Sequence, residues 1–321
     1  MMKKVWLFGL FIAAVMFLAA CSSQGEGNSA EAETNNETEE TKETLTIEHE
    51  LGTTEVPENP EKIAVFNYGT LSALDQLGIE ASGVAKSSNI PSYLSKYEGE
   101  DYTNLGSLKE PDFETIYEMQ PDLIIIAGRQ GEAYEELKDI APTLYLSADP
   151  ADFMASYKEG METLGQIFNK EDEVQTKLDE LDETVAAMKE TAENNGQDGL
   201  VVLSNGGKVS AYGPGSRFGM LHDVFGVQPT ADDIEASTHG MDISFEYIAE
   251  KDPSYLFVVD RDQVVNGESA AAETLNNDLV NSTTAAQNDQ MVYLDPELWY
   301  LSSGLPPIDL MAEEVKRALE E

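Results

Sequence analysis

Asp112-Phe113-Glu114-Thr115-Ile116, then Pro121-Asp122, then Leu123-Ile124-Ile125-Ile126-Ala127-Gly128-Arg129 is a pattern the chain uses twice. The second copy runs Ser244-Phe245-Glu246-Tyr247-Ile248, Asp252-Pro253, Tyr255-Leu256-Phe257-Val258-Val259-Asp260-Arg261. Phe113, Glu114, Ile116, Glu118, Pro121 and Arg129 return without a gap, 132 positions on, as Phe245, Glu246, Ile248, Glu250, Pro253 and Arg261. Each copy reads as a short helix, a proline-marked turn and a buried apolar strand. An arginine follows each strand, at the end where open α/β sheets bind ligands. The repeat predicts two α/β lobes that each present an arginine to a shared crevice.

Working outward, residues 44–56 read as a small hairpin with Gly52 at its turn. Strands are expected at 62–67, 81–85, 123–128 and 143–146 with helices between them, an alternation that predicts a mostly parallel sheet. Residues 151–196 read as helical almost throughout. Val174, Leu178, Leu181, Val185 and Met188 keep helical spacing up to Asn194-Asn195-Gly196. A helix over 171–194 would be on the order of 36 Å long, enough to run from one lobe to the other. A second lobe follows, with strands near 200–204 and 208–212, a helix from Ser216 to Phe225, a strand Met291 to Leu294 and a terminal helix from about Pro307. The expected organisation is an N-terminal lobe at 44–150, a connecting helical region at 151–196 and a C-terminal lobe at 197–321.

The chain opens with Lys3 and Lys4 and an apolar run from Val5 to Ala20, the pattern of a signal peptide over residues 1–20. The run closes on Leu18-Ala19-Ala20-Cys21, and Cys21 is the chain's one cysteine. This resembles the lipobox of bacterial lipoproteins, which implies a lipidated Cys21, attachment to the outer face of the cytoplasmic membrane and a mature chain without disulfides. Residues 22–43 hold seven glutamates and Lys42 with almost no apolar side chains. Such a segment cannot order itself by burial and reads as an acidic tether over residues 21–43.

The formal charge is −42, and removing Lys3 and Lys4 with the leader takes it to −44. That excludes a nucleic-acid binder, which needs a basic stripe to neutralise phosphates. Of 19 basic residues only four are arginines, at 129, 217, 261 and 317. Arg317 falls on the charged face of the last helix. Arg129 and Arg261 follow their strands, and Arg217 follows Gly213-Pro214-Gly215-Ser216, where Ser216 is placed to cap a helix beginning at Arg217. Arginine is chosen over lysine where a planar fork must meet anionic oxygens. Three of them in one cleft predict an anionic ligand.

Two further side chains stand out. His239 lies in the loop Ser237-Thr238-His239-Gly240, just before the second copy, and Tyr300 ends Leu294-Asp295-Pro296-Glu297-Leu298-Trp299-Tyr300. Each has an ordinary reading, as a loop hydrogen-bonder and as packing.

From about Thr44 to its end the chain resembles the substrate-binding lipoproteins of ABC importers for ferric catecholate siderophores, of the enterobactin and petrobactin type. The resemblance rests on Asn67-Tyr68-Gly69-Thr70-Leu71, Ala127-Gly128-Arg129-Gln130, Gly213-Pro214-Gly215-Ser216-Arg217-Phe218-Gly219, Thr238-His239-Gly240, Phe257-Val258-Val259-Asp260-Arg261 and Leu294 to Tyr300. It implies two Rossmann-like lobes joined by a single long backbone helix, the class III periplasmic-binding-protein fold. It also implies that Arg129, Arg217 and Arg261 surround the iron-bound catecholate oxygens, and that His239 and Tyr300 ligate Fe³⁺ where the siderophore leaves positions open. Tyr68, Lys86, Tyr93 and Trp299 are then expected to line the pocket. Glu114 and Glu246 match the surface glutamates that dock on the two halves of a permease dimer, although their place at helix N-termini also suits the helix dipole. The implied partners are a ferric catecholate siderophore and a permease with its ATPase. A monomer without a cofactor of its own is expected, the Fe(III)–siderophore complex being ligand.

The chemistry agrees. Fe³⁺ is a hard cation that seeks oxygen donors, a tris-catecholate complex of it is anionic, and guanidinium groups answer that charge. An enzyme is the rival class, yet the chain has no Gly-x-Ser-x-Gly elbow and no His-Glu-x-x-His. Haem, cobalamin and hydroxamate siderophores remain alternative ligands on the same fold.

Overall fold

The strands Leu123–Ile126 and Tyr255–Asp260 are buried along their whole length, as strands covered on both faces must be. Each has a strand on either side in its own sheet in the computed structural model, which describes residues 44–320. The leader, Cys21 and the tether lie outside the described residues.

The first sheet has five strands in the order Thr103–Asn104, Gly83–Val84, Ile63–Val65, Leu123–Ile126, Thr143–Tyr145, all parallel. The two-residue strand at Thr103 has no apolar signal of its own, and sequence reasoning misses it. In the second sheet Asp198–Asn205, Tyr255–Asp260 and Met291–Leu294 run parallel. Its other half is antiparallel. Asp198–Asn205 turns through Gly206 and Gly207, both at positive φ, into Lys208–Tyr212, which pairs with Met241–Ile243. The leading hairpin, Thr44–His49 with Gly52–Pro57, forms a separate two-stranded sheet and ties to the first lobe where Thr54 Oγ1 donates to the Thr143 carbonyl at 2.7 Å.

The sequence repeat extends to the backbone. Phe113–Met119 is capped by Asp112, which accepts from the Thr115 N–H, and Phe245–Lys251 by Ser244, which accepts from the Tyr247 N–H. Both helices stop at a residue in the left-handed region, Gln120 at φ 51° and Asp252 at φ 46°. A proline follows each and cannot continue the helix.

Between the lobes the helical region is two helices. Phe153–Phe168 ends at Asn169, a left-handed residue at φ 51°, and Glu171–Asn195 runs on for 25 residues to Gly196. At 1.5 Å per residue that is about 37 Å. Its buried stripe is Val174, Leu178, Leu181, Val185, Met188 and Ala192. One continuous apolar core runs from Ile124 and Ile125 through this stripe to Val201, Leu203, Phe257 and Val259. Leu200, Val202, Leu256 and Val258 point to the opposite face and form a second cluster, as the two-residue period of a strand requires.

The last loop before the terminal helix Ile308–Glu320 reaches across to the first lobe. Gly304 O accepts from the Ala148 N–H at 3.1 Å, and Ser303 lies on the start of helix Tyr68–Gln76. There Gly69 leaves no room: a Cβ would run into the Ser303 carbonyl oxygen and stand 2.9 Å from Leu305 C and Pro306 N. Backbone cannot yield as a side-chain tip can. Gly69→Ala is expected to destabilise the fold by about 1–3 kcal/mol, the usual penalty of overpacking. A thermal unfolding midpoint equal to wild type would show that the strap lifts freely.

Candidate binding site

Arg129 projects from a 3₁₀ turn, Gly128–Ala133, directly after its strand. The turn is held by Gln130, only 1% exposed, whose Oε1 accepts from the Ala127 N–H at 3.1 Å and whose amide donates to the Leu108 carbonyl. Arg261 opens the short helix Arg261–Val265. Asp260 caps that helix and also accepts from Ser269 Oγ and the N–H groups of Ala270 and Ala271, so the loop behind Arg261 is locked. Arg217 lies in the turn that follows Tyr212. Its helix begins only at Met220, so Ser216 does not cap it. Ser216 Oγ instead accepts from the Ser237 N–H at 3.1 Å, tying the His239 loop to the Arg217 turn.

The three guanidinium groups meet at one residue. Tyr300 O accepts from Arg129 Nη2 at 2.6 Å and from Arg217 Nη2 at 2.8 Å. The Tyr300 hydroxyl accepts from Arg261 Nε at 2.9 Å. The guanidinium carbons of Arg217, Arg129 and Arg261 stand 4.4, 5.6 and 5.7 Å from the centre of the Tyr300 ring. Arg129 Nη1 donates further to the Leu301 carbonyl at 3.2 Å and to Ser303 Oγ at 3.0 Å, and Arg261 Nη1 to Asn205 Oδ1 at 2.9 Å. Every acceptor is a neutral oxygen. Among the described residues no carboxylate pairs with this cluster, although the chain is strongly acidic.

The electrostatics follow. Burial, and next the charge of Arg217, pull the Arg129 guanidinium down to about 10. Burial alone would raise the Tyr300 phenol. The hydrogen bond from Arg261 and the charges of all three arginines overrule it and hold that phenol below its ordinary 10.0. The phenol is thereby brought nearer to the phenolate that a hard cation binds.

Other expected residues fall in different places. Tyr68 is buried beside Arg129, with its hydroxyl on the Ala85 carbonyl at 2.9 Å, and burial pushes its phenol up. Tyr93 meets Ser302 Oγ at 2.5 Å. His239 is exposed and held by its main chain: its N–H donates to Ser237 Oγ and its carbonyl accepts from the Tyr212 hydroxyl. Gly240 lets the loop pass, since at φ +76° a Cβ would stand 2.7 Å from Tyr212 Cζ. Tyr212 packs on Phe218 at 4.6 Å, and Phe218 lies under Arg217, which sets the His239 loop at the rim of the cluster.

The Lys86 ammonium donates to the carbonyls of Gly99 at 2.7 Å and Tyr102 at 3.2 Å. Trp299 is 3% exposed and packs edge-on to Phe225. Successive side chains of one turn diverge, so Tyr300 takes the cleft and Trp299 the core. Glu114 and Glu246 are both exposed in the first turns of the repeated helices. Asn205 and Ser303 carry no motif and are found only by the contacts they make.

The periplasmic binding protein family matches residues 63–298, and the chain belongs to it. It is a binding protein rather than an enzyme. It is 43% identical to the petrobactin-binding protein YclQ of Bacillus subtilis over 100% of both chains. The crystal structure of YclQ superposes with a TM-score of 0.85 at 46% identity, covering 87% of this chain and 100% of that one. The periplasmic catecholate-siderophore binding protein VctP of Vibrio cholerae superposes with a TM-score of 0.79 at 38% identity, over 87% of this chain and 99% of its own. The ferric-anguibactin-binding protein FatB of Vibrio anguillarum is 34% identical over 81% of this chain and 82% of its own length.

Proposed function

We propose that this protein captures an anionic Fe(III)–catecholate siderophore in the cleft between its lobes and delivers it to an ABC permease. The observation that carries the reading is the set of three guanidinium groups around Tyr300 without a carboxylate to neutralise them. A tris-catecholate complex brings the missing negative charge on oxygens, to which charge-assisted hydrogen bonds are worth about 1.5–3 kcal/mol each. Iron is taken to arrive inside its chelator, whose catecholate oxygens are the hard donors it prefers. The names of YclQ, VctP and FatB support the ligand class.

Where the chelator is tetradentate, His239 and Tyr300 supply the remaining iron ligands, the Tyr300 phenol being lowered by the hydrogen bond from Arg261 and the charges of the three arginines. Glu114 and Glu246, repeated once per lobe, face a permease of two-fold symmetry. Cys21 carries the lipid, and the tether over residues 21–43 gives the lobes reach from the membrane.

The test uses Trp299, the one tryptophan left once the leader with Trp6 is removed. Its emission is followed while the mature protein is titrated with ferric tris- and bis-catecholates, a ferric hydroxamate and haem. Tight binding of the catecholates alone is expected. Preference for the hydroxamate or haem would remove the ligand assignment.

A further inference from the structure

The turn that carries Tyr300 has no strand or long helix to hold it. Glu297–Leu301 is a single π-helical turn, a form found mostly at functional sites. It is fixed from two sides. From the first lobe, the Ser92 N–H donates to Glu297 Oε2 at 2.7 Å and Tyr93 meets Ser302. From the terminal helix comes Glu314. Its Oε1 accepts from the Asp295 N–H at 2.7 Å and its Oε2 from the Trp299 indole N–H at 2.8 Å. The base is firm: Met311, Ala312, Val315 and Leu319 of that helix are buried, and the Leu319 carbonyl accepts from Asn195 Nδ2 of the long helix at 3.0 Å.

Packing alone does not explain an acid here. Burial raises the Glu314 carboxyl above its ordinary range, with the Asp295 and Trp299 N–H groups and Arg317 opposing and Asp295 adding to the rise. A leucine would fill the space without that desolvation. Only a carboxylate can accept from both N–H groups at once, one at the opening of the turn and one on the neighbour of Tyr300.

We propose that Glu314 is a positioning residue of the ligand site, holding the Asp295 N–H and the Trp299 indole together so that Tyr300 sits at the meeting point of Arg129, Arg217 and Arg261. It touches no ligand. The proposal rests on the functional reading above, and its test separates the two.

Glu314→Leu keeps no acceptor, Glu314→Gln keeps one, and Trp299→Phe removes the indole donor. In calorimetric titration with a ferric tris-catecholate, Glu314→Leu is expected to bind about tenfold more weakly, as for the loss of one or two hydrogen bonds, and Glu314→Gln less so. The thermal midpoint should stay level or rise. The double variant Glu314→Leu/Trp299→Phe should lose no more than Glu314→Leu alone, because the indole bond that Trp299→Phe removes is already gone in Glu314→Leu. Losses that add, or wild-type affinity in folded Glu314→Leu, would overturn the proposal. Should Glu314→Leu fail to fold, Glu314→Gln with a wild-type midpoint must still bind more weakly. Hydrogen exchange over residues 295–304 of the ligand-free protein reads the positioning without a ligand. Faster exchange there in Glu314→Gln supports it, and unchanged exchange sinks it. Wild-type protein that binds no catecholate would instead sink the functional reading.

Discussion

Arg129→Met is expected to weaken binding of a ferric tris-catecholate by on the order of 30- to 5,000-fold, the range for truncating one member of a desolvated charge pair. The same change should leave the thermal midpoint level or raise it. Burial, with the charge of Arg217 second, pulls the guanidinium from 12.5 down to about 10. A cation whose folded value is depressed is disfavoured in its charged form at every pH below that value, so near neutrality the full penalty applies, roughly 3 kcal/mol. Methionine covers the same stem without the charge. Loss of the three contacts to Tyr300 O, Leu301 O and Ser303 Oγ offsets part of that gain. A buried cation that opposes folding, placed in a cleft, supports the proposal that Arg129 serves a ligand. Arg129→Lys should not restore binding, because one ammonium cannot reproduce a planar fork that reaches three acceptors. Calorimetry beside thermal unfolding decides it. Undiminished affinity in Arg129→Met would place the ligand elsewhere.

The second large effect is selective. His239→Ala/Tyr300→Phe should weaken a ferric bis-catecholate by at least about tenfold, a loss seen even for outer partners of metal ligands. A tris-catecholate should change by no more than about threefold. Tris-chelated iron has no open position, so it uses the arginines alone. Bis-chelated iron has two, and the Tyr300 hydroxyl, which accepts from Arg261 Nε at 2.9 Å, has its phenol lowered by that bond and by the charges of the three arginines. His239 lies on an exposed loop, and the second open position is the one proposed for it. Equal losses for both complexes would mean that the pair shapes the pocket rather than ligating. No loss for either would leave iron ligation to the chelator alone.

Much of the fold was legible in the chain because its signals are local. An apolar run flanked by a proline-marked turn is a buried strand wherever it falls. The Glu171–Asn195 helix shows its buried stripe at helical spacing, and the repeat at a distance of 132 residues carries even the left-handed caps at Gln120 and Asp252. Asn169, which splits the connecting region, was harder to see, since an asparagine at a helix end differs from one inside it only by its φ. The antiparallel half of the second sheet announced itself in Gly206-Gly207 but was read as two strands of unspecified pairing.

The site divides differently. Sequence identifies the arginines as candidates, because residue type sets charge and donor geometry, and His239 and Tyr300 only through the resemblance. It cannot say that a main-chain carbonyl, Tyr300 O, is what two arginines share, since every residue has one. Lys86 and Trp299 were expected in the pocket only through the resemblance, and tertiary packing sets the contacts of one with the carbonyls of Gly99 and Tyr102 and the burial of the other. Glu314, nineteen positions from Asp295, has no local mark at all. Local pattern determined the two lobes and the helix between them, and the arginines raised the expectation of an anionic ligand. Tertiary structure alone decided which donors converge, because convergence depends on how a strap from one lobe is laid across the other, and that is settled by contacts between residues far apart in the chain.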